Sequence, residues 1–179
     1  MPRQTPEDFG AVFEFQRSAF RLELLDSYIA ANEAEPFHRF LNGEPHNRAW
    51  REPWAQFVRE AVCDGKHMAR VHVVGEPLSD YLKFELTCAY PANVTAGENV
   101  RILELSQYPE LAPPSRDFWL FDDRNVSVMD YDQEGNFLGA DATSDPALVG
   151  YYLHVRDLTM NLSVPLADYL TSIEMKEGV

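Results

Sequence analysis

The sequence predicts an α+β fold: a single mixed β-sheet packed by helices, with an N-terminal helical segment and a long C-terminal helix. Three observations predict it. Apolar residues at three- and four-residue spacing alternate along the chain with short β-rich runs, so helices and strands are interleaved at first. Several strand-like runs then follow one another between residues 99 and 143, and a helical stripe comes after them. At 179 residues, 45 % hydrophobic and 25 % charged, the chain suits one domain with a sizeable core and is too apolar for disorder.

Thr5 and Pro6 are suited to the cap and first position of a helix whose Phe9, Val12 and Phe13 share a face. Residues 20 to 25, "FRLELL", read weakly as a strand. Asn32 and Glu35 form a capping pair for a short helix carrying Phe37, Phe40 and Leu41, closed at Gly43. Residues 53 to 64 make a helix, with Trp54, Phe57, Val58, Ala61 and Val62 on its apolar stripe and Gly65 ending it. "ARVHVV", 69 to 74, is a strand with Arg70 and His72 on one face and Val71 and Val73 on the other. A turn leads to a helix over Leu78 to Ala89.

Residues 99 to 105, "DFWLFDD", "NVSVMDY" and "NFLGADAT" are strands. The run Phe118-Trp119-Leu120-Phe121 is apolar throughout, as in a strand buried on both faces. Asp145-Pro146 opens the long helix, whose stripe is Leu148, Tyr152, Val155, Leu158 and Leu162; Pro165 stops it, and "LADYL" adds a turn. The single domain, 1–179, thus divides into an N-terminal helix (1–17), a core (18–170) and a tail (171–179).

The net charge is −14, with −4 in residues 1–90 and −10 in residues 91–179. Such a surface repels phosphate backbones and anionic lipid, so neither nucleic acid nor membrane is an expected partner; a basic protein or a cation suits it better. No apolar run approaches the roughly 20 residues of a membrane span, and the N-terminus lacks the order of a signal peptide. The expected compartment is the cytoplasm. Cys63 and Cys88 have no zinc or redox spacing and read as small core residues.

"MDYDQEGNFLGAD", 129 to 141, places acidic residues and Gly135 where a calcium loop has its ligands and glycine. Its flanks alternate like strands instead of forming helices, and "DQEGN" suits a hairpin turn. It therefore reads as a hairpin. No Walker A loop, dinucleotide fingerprint, GxSxG elbow or HExxH pair occurs, and the five histidines have no ligand spacing. No cofactor, metal site or catalytic residue is expected.

Two stretches carry candidate binding residues. In "RVHVVGEPLSDYLKFE" a strand runs into a turn and a helix, placing Glu76, Ser79 and Asp80 at a strand end, where open sheets bind ligands. The bland alternative is helix capping by Glu76 and Asp80, with Arg70 and His72 in structural ion pairs. In "FWLFDDRNV", Asp122 and Asp123 end a strand, where carboxylates bind cations or simply shape a turn. Arg70, His72, Glu76, Asp80, Asp122 and Asp123 together are the candidate ligand- or partner-binding edge.

"SAFRLELLDSY", "GKHMARVHVVGEPLSDYLKFEL", "AGENVRIL", "DFWLFDDRNVSVMDYDQEGNFLGA" and "VPLADYL" together resemble the actinobacterial domain-of-unknown-function family numbered six-eight-seven-nine, over residues 18 to 170. Gly75 stands where a small residue such as Ser is expected. The resemblance implies a regulatory or interaction role, since genes of that family lie near helix-turn-helix regulators and small acidic proteins, and it carries over no catalytic residue. The strand-helix-strand order before "FWLFDDRNVSV" is also similar to one half of a phospholipase D-like domain, without the His-x-Lys pattern of its enzymes, which implies an inactive half. The expectation is a non-enzymatic interaction or sensor module working with a DNA-binding regulator. The alternatives are a hydrolase using Asp122, Asp123 and His72, and a homodimer burying Trp50 and Tyr169.

Overall fold

The computed structural model describes residues 2–7, 14–45 and 48–177. Its centre is a βαβαβ unit. Strand β2 (Ser18–Glu23) leads through α1 (Ala34–Leu41) and α2 (Glu52–Cys63) to β3 (His67–Val74). The chain then passes through α3 (Asp80–Phe84), a π-helical turn (Glu85–Ala89) and α4 (Tyr90–Ala96) to β4 (Asn99–Glu104). The strands β2, β3 and β4 are parallel neighbours, the arrangement that helical crossovers allow.

The antiparallel strands β5 (Phe118–Phe121), β6 (Asn125–Tyr131) and β7 (Phe137–Thr143) continue the sheet on the other side of β2. Two-residue strands close its edges: β1 (Arg3–Gln4) beside β7, and β8 (Val164–Pro165) beside β4. The order across the eight strands is β1-β7-β6-β5-β2-β3-β4-β8. One mixed sheet packed by helices is therefore the architecture.

The alternation of side chains gives the two faces different chemistry. Phe20 and Leu22 of β2, Val71 and Val73 of β3, Phe118 and Leu120 of β5, and Val126 and Val128 of β6 form a continuous apolar layer. The long helix α5 (Pro146–Leu162) lies on it through Val149 and Val155. Asp145 caps α5, its carboxylate accepting from the N–H groups of Ala147 and Leu148 at 3.0 and 3.1 Å. On the opposite face the inward positions are mixed: apolar residues such as Met68, Trp119 and Phe121 surround Arg21, Glu23, Arg70 and His72.

Several local expectations are revised. Arg3–Gln4 pairs with β7 as a strand, and Pro6 and Glu7 form a turn, so residues 2–7 are not helical; Phe9, Val12 and Phe13 lie outside the described residues. The helix after β3 runs on to Ala96, because the π turn keeps Leu82, Leu86, Ala89 and Tyr90 on the buried side. After β8 the chain forms α6 (Leu166–Glu177), far longer than one turn. Cys88 is buried but Cys63 is exposed at the end of α2. Tyr169 is buried within the chain's own core, and the ring of Trp50 stacks on Phe84 at 5.5 Å, so neither offers the exposed aromatic surface of the dimer reading. At α1 the N-cap is Glu33 and makes no side-chain cap; its carboxylate is engaged elsewhere.

The acidic stretch is the β6–β7 hairpin. Asp132 organises the turn by accepting from the N–H groups of Glu134 and Asn136, both at 2.9 Å. Gly135 has a positive φ of 92°, and a Cβ there would meet the Ser27 carbonyl oxygen at 2.7 Å. The carboxylates of Asp130 and Asp141 both pair with Arg3 and Arg116. Among the described residues no helix is long and apolar enough to cross a membrane.

Candidate functional site

The mixed face of the sheet carries a layer of buried charge. Arg21 of β2 stands opposite Arg70 of β3, and Glu23 opposite His72, because the parallel register aligns them residue for residue. Arg70 donates to Glu23 at 2.7 Å and to Glu98 at 2.9 Å. Arg21 donates to Glu23 at 2.8 Å and to Asp117, just before β5, at 3.3 Å. Burial favours the neutral form of Glu23, but Arg70 and Arg21 outweigh it and hold its carboxyl well below the usual range.

The helices complete the layer from above. Arg51, at the start of α2, donates to Glu33 at 3.3 Å and to Asn93 of α4 at 3.0 Å. Tyr81 donates to the other oxygen of Glu33 at 2.7 Å. Burial, then the charge of Glu85, raises the Glu33 carboxyl. Burial likewise raises Asp117, which accepts from the Tyr28 hydroxyl at 2.6 Å and the Leu24 N–H at 3.0 Å.

A cavity of about 510 Å³ opens onto this layer. Its floor holds Arg21, Glu23, Arg70 and Glu85, and its walls hold Tyr28, Trp54, Tyr81, Trp119, Tyr131 and Phe137. Residues 29–33 and the β6–β7 turn form its mouth. They are tied together by the Ile29 N–H donating to the Gly135 carbonyl at 3.0 Å. Acid, base and aromatic groups around one space of this size suit a small polar organic molecule.

A larger depression, about 760 Å³, lies near Asp122 and the start of α5. It borders Glu14, beside the segment outside the described residues, and holds no buried charged side chain, so the charged cavity is the stronger candidate.

The six residues singled out in the sequence do not form one edge. Arg70 and His72 lie in the charged layer, and Arg70 lines the cavity. Glu76 and Asp80 are exposed beyond the C-terminal end of β3; Asp80 pairs with Lys83 at 3.4 Å. Asp122 and Asp123 sit at the other end of the sheet. They are the central residues of the β5–β6 turn, both with positive φ (53° and 59°), as a tight hairpin requires. Asp122 accepts from the N–H groups of Gln16, Arg17 and Ser18 at 2.6 to 3.0 Å, and Asp123 pairs with Arg156 of α5.

The β2 strand separates Ser18, beside Asp122, from Glu23, beside His72, by about 16 Å. A hydrolytic centre of Asp122, Asp123 and His72 is therefore not assembled.

Asp122 supports a prediction. Burial favours its protonated form, but the three N–H donors outweigh this and hold its carboxyl below the ordinary 3.8. A lowered folded value stabilises the fold above pH 3.8, and that contribution is lost as pH falls through the folded value. Asp122→Ala is expected to cost about 1 kcal/mol, the usual worth of a side-chain cap. Urea melts at pH 7 and pH 3 should show the difference from the parent shrinking at the lower pH. Ligand binding per folded molecule should not change.

Sequence reasoning passed over Glu23, Glu33, Glu85 and Asp117. A signal existed in Phe20-Arg21-Leu22-Glu23, where charge alternates with apolar residues on an inner strand, and in Tyr81 and Glu85, one turn apart along the helix that also carries Leu82, Phe84 and Leu86. The π turn beginning at Glu85 is the kind of helix irregularity that recurs at functional sites.

The family model described as a domain of unknown function, DUF6879, matches residues 7–171. The chain belongs to this family. Nearly all the elements that build the DUF6879 sheet and the charged cavity fall within that match. No curated protein matches the chain.

Proposed function

We propose that this DUF6879 domain is a non-enzymatic sensor module that holds a small polar molecule in the charged cavity and reports its presence to a protein partner. The observation that carries the reading is the placement of Arg21, Glu23, Arg70 and Glu85 as the floor of an aromatic-walled space on the inner strands of the sheet. Well-packed hydrophobic residues often stabilise a fold as well as a buried ion network does, so stability alone is a weak account of these charges. Paired cations and carboxylates inside a cavity orient a polar ligand through hydrogen bonds that water does not compete with.

The mouth supplies the route to a partner. Residues 29–33 run directly into α1, so a ligand that displaces Tyr28 or Glu33 from its buried partners moves a surface helix. The acid-rich surface, with its net charge of −14, fits a basic protein such as a DNA-binding helix-turn-helix regulator in the cytoplasm rather than DNA itself.

Native mass spectrometry of the protein isolated from its host's lysate tests this. A retained small organic mass is expected. Ile29→Trp, at an exposed position on the rim, should remove that mass while changing stability by no more than about 0.5 kcal/mol. A bare chain in both spectra, unaltered by gentler isolation, would overturn the proposal.

A further inference from the structure

Glu23, His72 and Glu85 come from β2, β3 and the π turn, and each offers one ligand atom within 4.8 Å of the others. His72 is wholly buried and Glu85 is 4 % exposed. The Nδ1 atom of His72 lies 3.9 Å from Oε2 of both glutamates. A tetrahedral ion bound at 2.0 to 2.2 Å holds its ligand atoms roughly 3.3 to 3.6 Å apart, so the two 3.9 Å pairs need a closure of about half an ångström and a pair near the 4.8 Å limit needs about one ångström or more.

The ring is set for this role from outside the cluster. His72 Nε2 lies 3.0 Å from the Leu25 carbonyl oxygen, which can only accept a hydrogen bond. Nε2 therefore donates a proton to it, and Nδ1 is the ring nitrogen that faces the two carboxylates. This is the way a metal-binding histidine is oriented by its second nitrogen.

The hydrogen count around that point is short. The Tyr90 hydroxyl lies 2.6 Å from Nδ1 and 2.8 Å from Glu23 Oε2, and also meets Glu85. It has one proton for three acceptors. Glu23 is supplied by Arg70 and Arg21, but among the described residues no arginine or lysine lies within ion-pair distance of Glu85, which has only the His72 ring at 3.9 Å.

The charge count points the same way. The buried layer holds three arginines, Arg21, Arg51 and Arg70, against five carboxylates, Glu23, Glu33, Glu85, Glu98 and Asp117. The formal balance of the layer is therefore −2, the charge that a dication would offset.

From this geometry we infer that Glu23, His72 and Glu85 bind one divalent first-row transition ion, with the Tyr90 oxygen placed as a further donor and the cavity giving entry through Glu23 and Glu85. One imidazole and oxygen donors suit Zn²⁺, Mn²⁺, Fe²⁺ or Co²⁺ and disfavour Mg²⁺ and Ca²⁺, which take oxygen alone. The site does not depend on the cavity holding an organic molecule, since the ligand atoms are all protein side chains.

Co²⁺ is the probe, because its visible absorption reports an imidazole- and carboxylate-bound ion. The full chain, stripped with a chelator and titrated with Co²⁺, should bind one ion with a saturable visible band. Glu85→Gln keeps the shape of the side chain but removes its charge, and should weaken binding by more than the roughly 10- to 100-fold typical of outer-shell changes. Glu33→Gln lines the same cavity without touching the ion and should weaken it much less. Circular dichroism confirms that both variants fold.

Two results overturn the inference. One is no saturable band. The other is equal binding by Glu85→Gln and the parent, which would place the ion elsewhere on the acidic surface. In either case the organic-ligand proposal still stands or falls on its own mass spectrum.

Discussion

Phe118→Ala is expected to destabilise the protein by about 3–5 kcal/mol, the usual cost of removing a large aromatic ring from a packed core. Phe118 is fully buried on β5, with Phe20 at 5.8 Å and Tyr152 of α5 at 4.7 Å between ring centroids. Its ring therefore ties the central strand to the helix that covers the apolar face. A domain of this size has a total stability of about 5–15 kcal/mol, so the loss is a large share of it. Urea denaturation should show a lower midpoint with an unchanged slope. Because Phe118 faces away from the cavity, the ligand carried per folded molecule should be that of the parent.

Arg70→Ala is expected to cost a similar amount, about 3–5 kcal/mol, for an electrostatic reason. The substitution leaves Glu23 and Glu98 buried with their shared cation gone. Rescue separates the two mechanisms. Adding Glu23→Gln to Arg70→Ala should recover part of the stability, because one stranded charge is removed, whereas no charge substitution should rescue Phe118→Ala. Pairwise coupling in a double-mutant cycle is the measurement. A purely additive result would show that the pair does not interact as its 2.7 Å contact implies.

Legibility in the sequence followed the physics of each element. The apolar strand Phe118–Phe121, the capped helix after Asp145 and the β6–β7 hairpin were readable because their signals are local: side-chain alternation, an Asx cap and a glycine turn. The alternation in "ARVHVV" placed Arg70 and His72 on one face correctly. The charged cavity was not readable, because its members sit on β2, β3, β5, β6, β7, the helices and the loops between them. Only the parallel register of β2 and β3 brings Glu23 beside His72, 49 positions apart. Asp122 misled for the opposite reason. Its carboxylate is attractive in sequence, yet the tight turn directs it at the backbone of residues 16–18. At the N-terminus, residues 3 and 4 satisfy their backbone groups against β7, a pairing with no local signal in the sequence, while the helix expected after Thr5-Pro6 falls mostly outside the described residues.

The two-residue strands at the margins of the sheet have a consequence for association. An open edge offers unpaired N–H and C=O groups to any other extended chain, and β7 is long enough to serve as such a template, with Leu138 exposed on it. β1 covers only Asp141 and Ala140 of that strand, yet Arg3 also reaches Asp130, Asp141 and the Leu138 carbonyl, adding positive charge to the margin. At the other margin, Pro165 has no N–H to offer. Both rims of the sheet thus end in short, charged or proline-bearing segments, which oppose rim-to-rim growth into fibrils while leaving the interior strands free to carry buried charge.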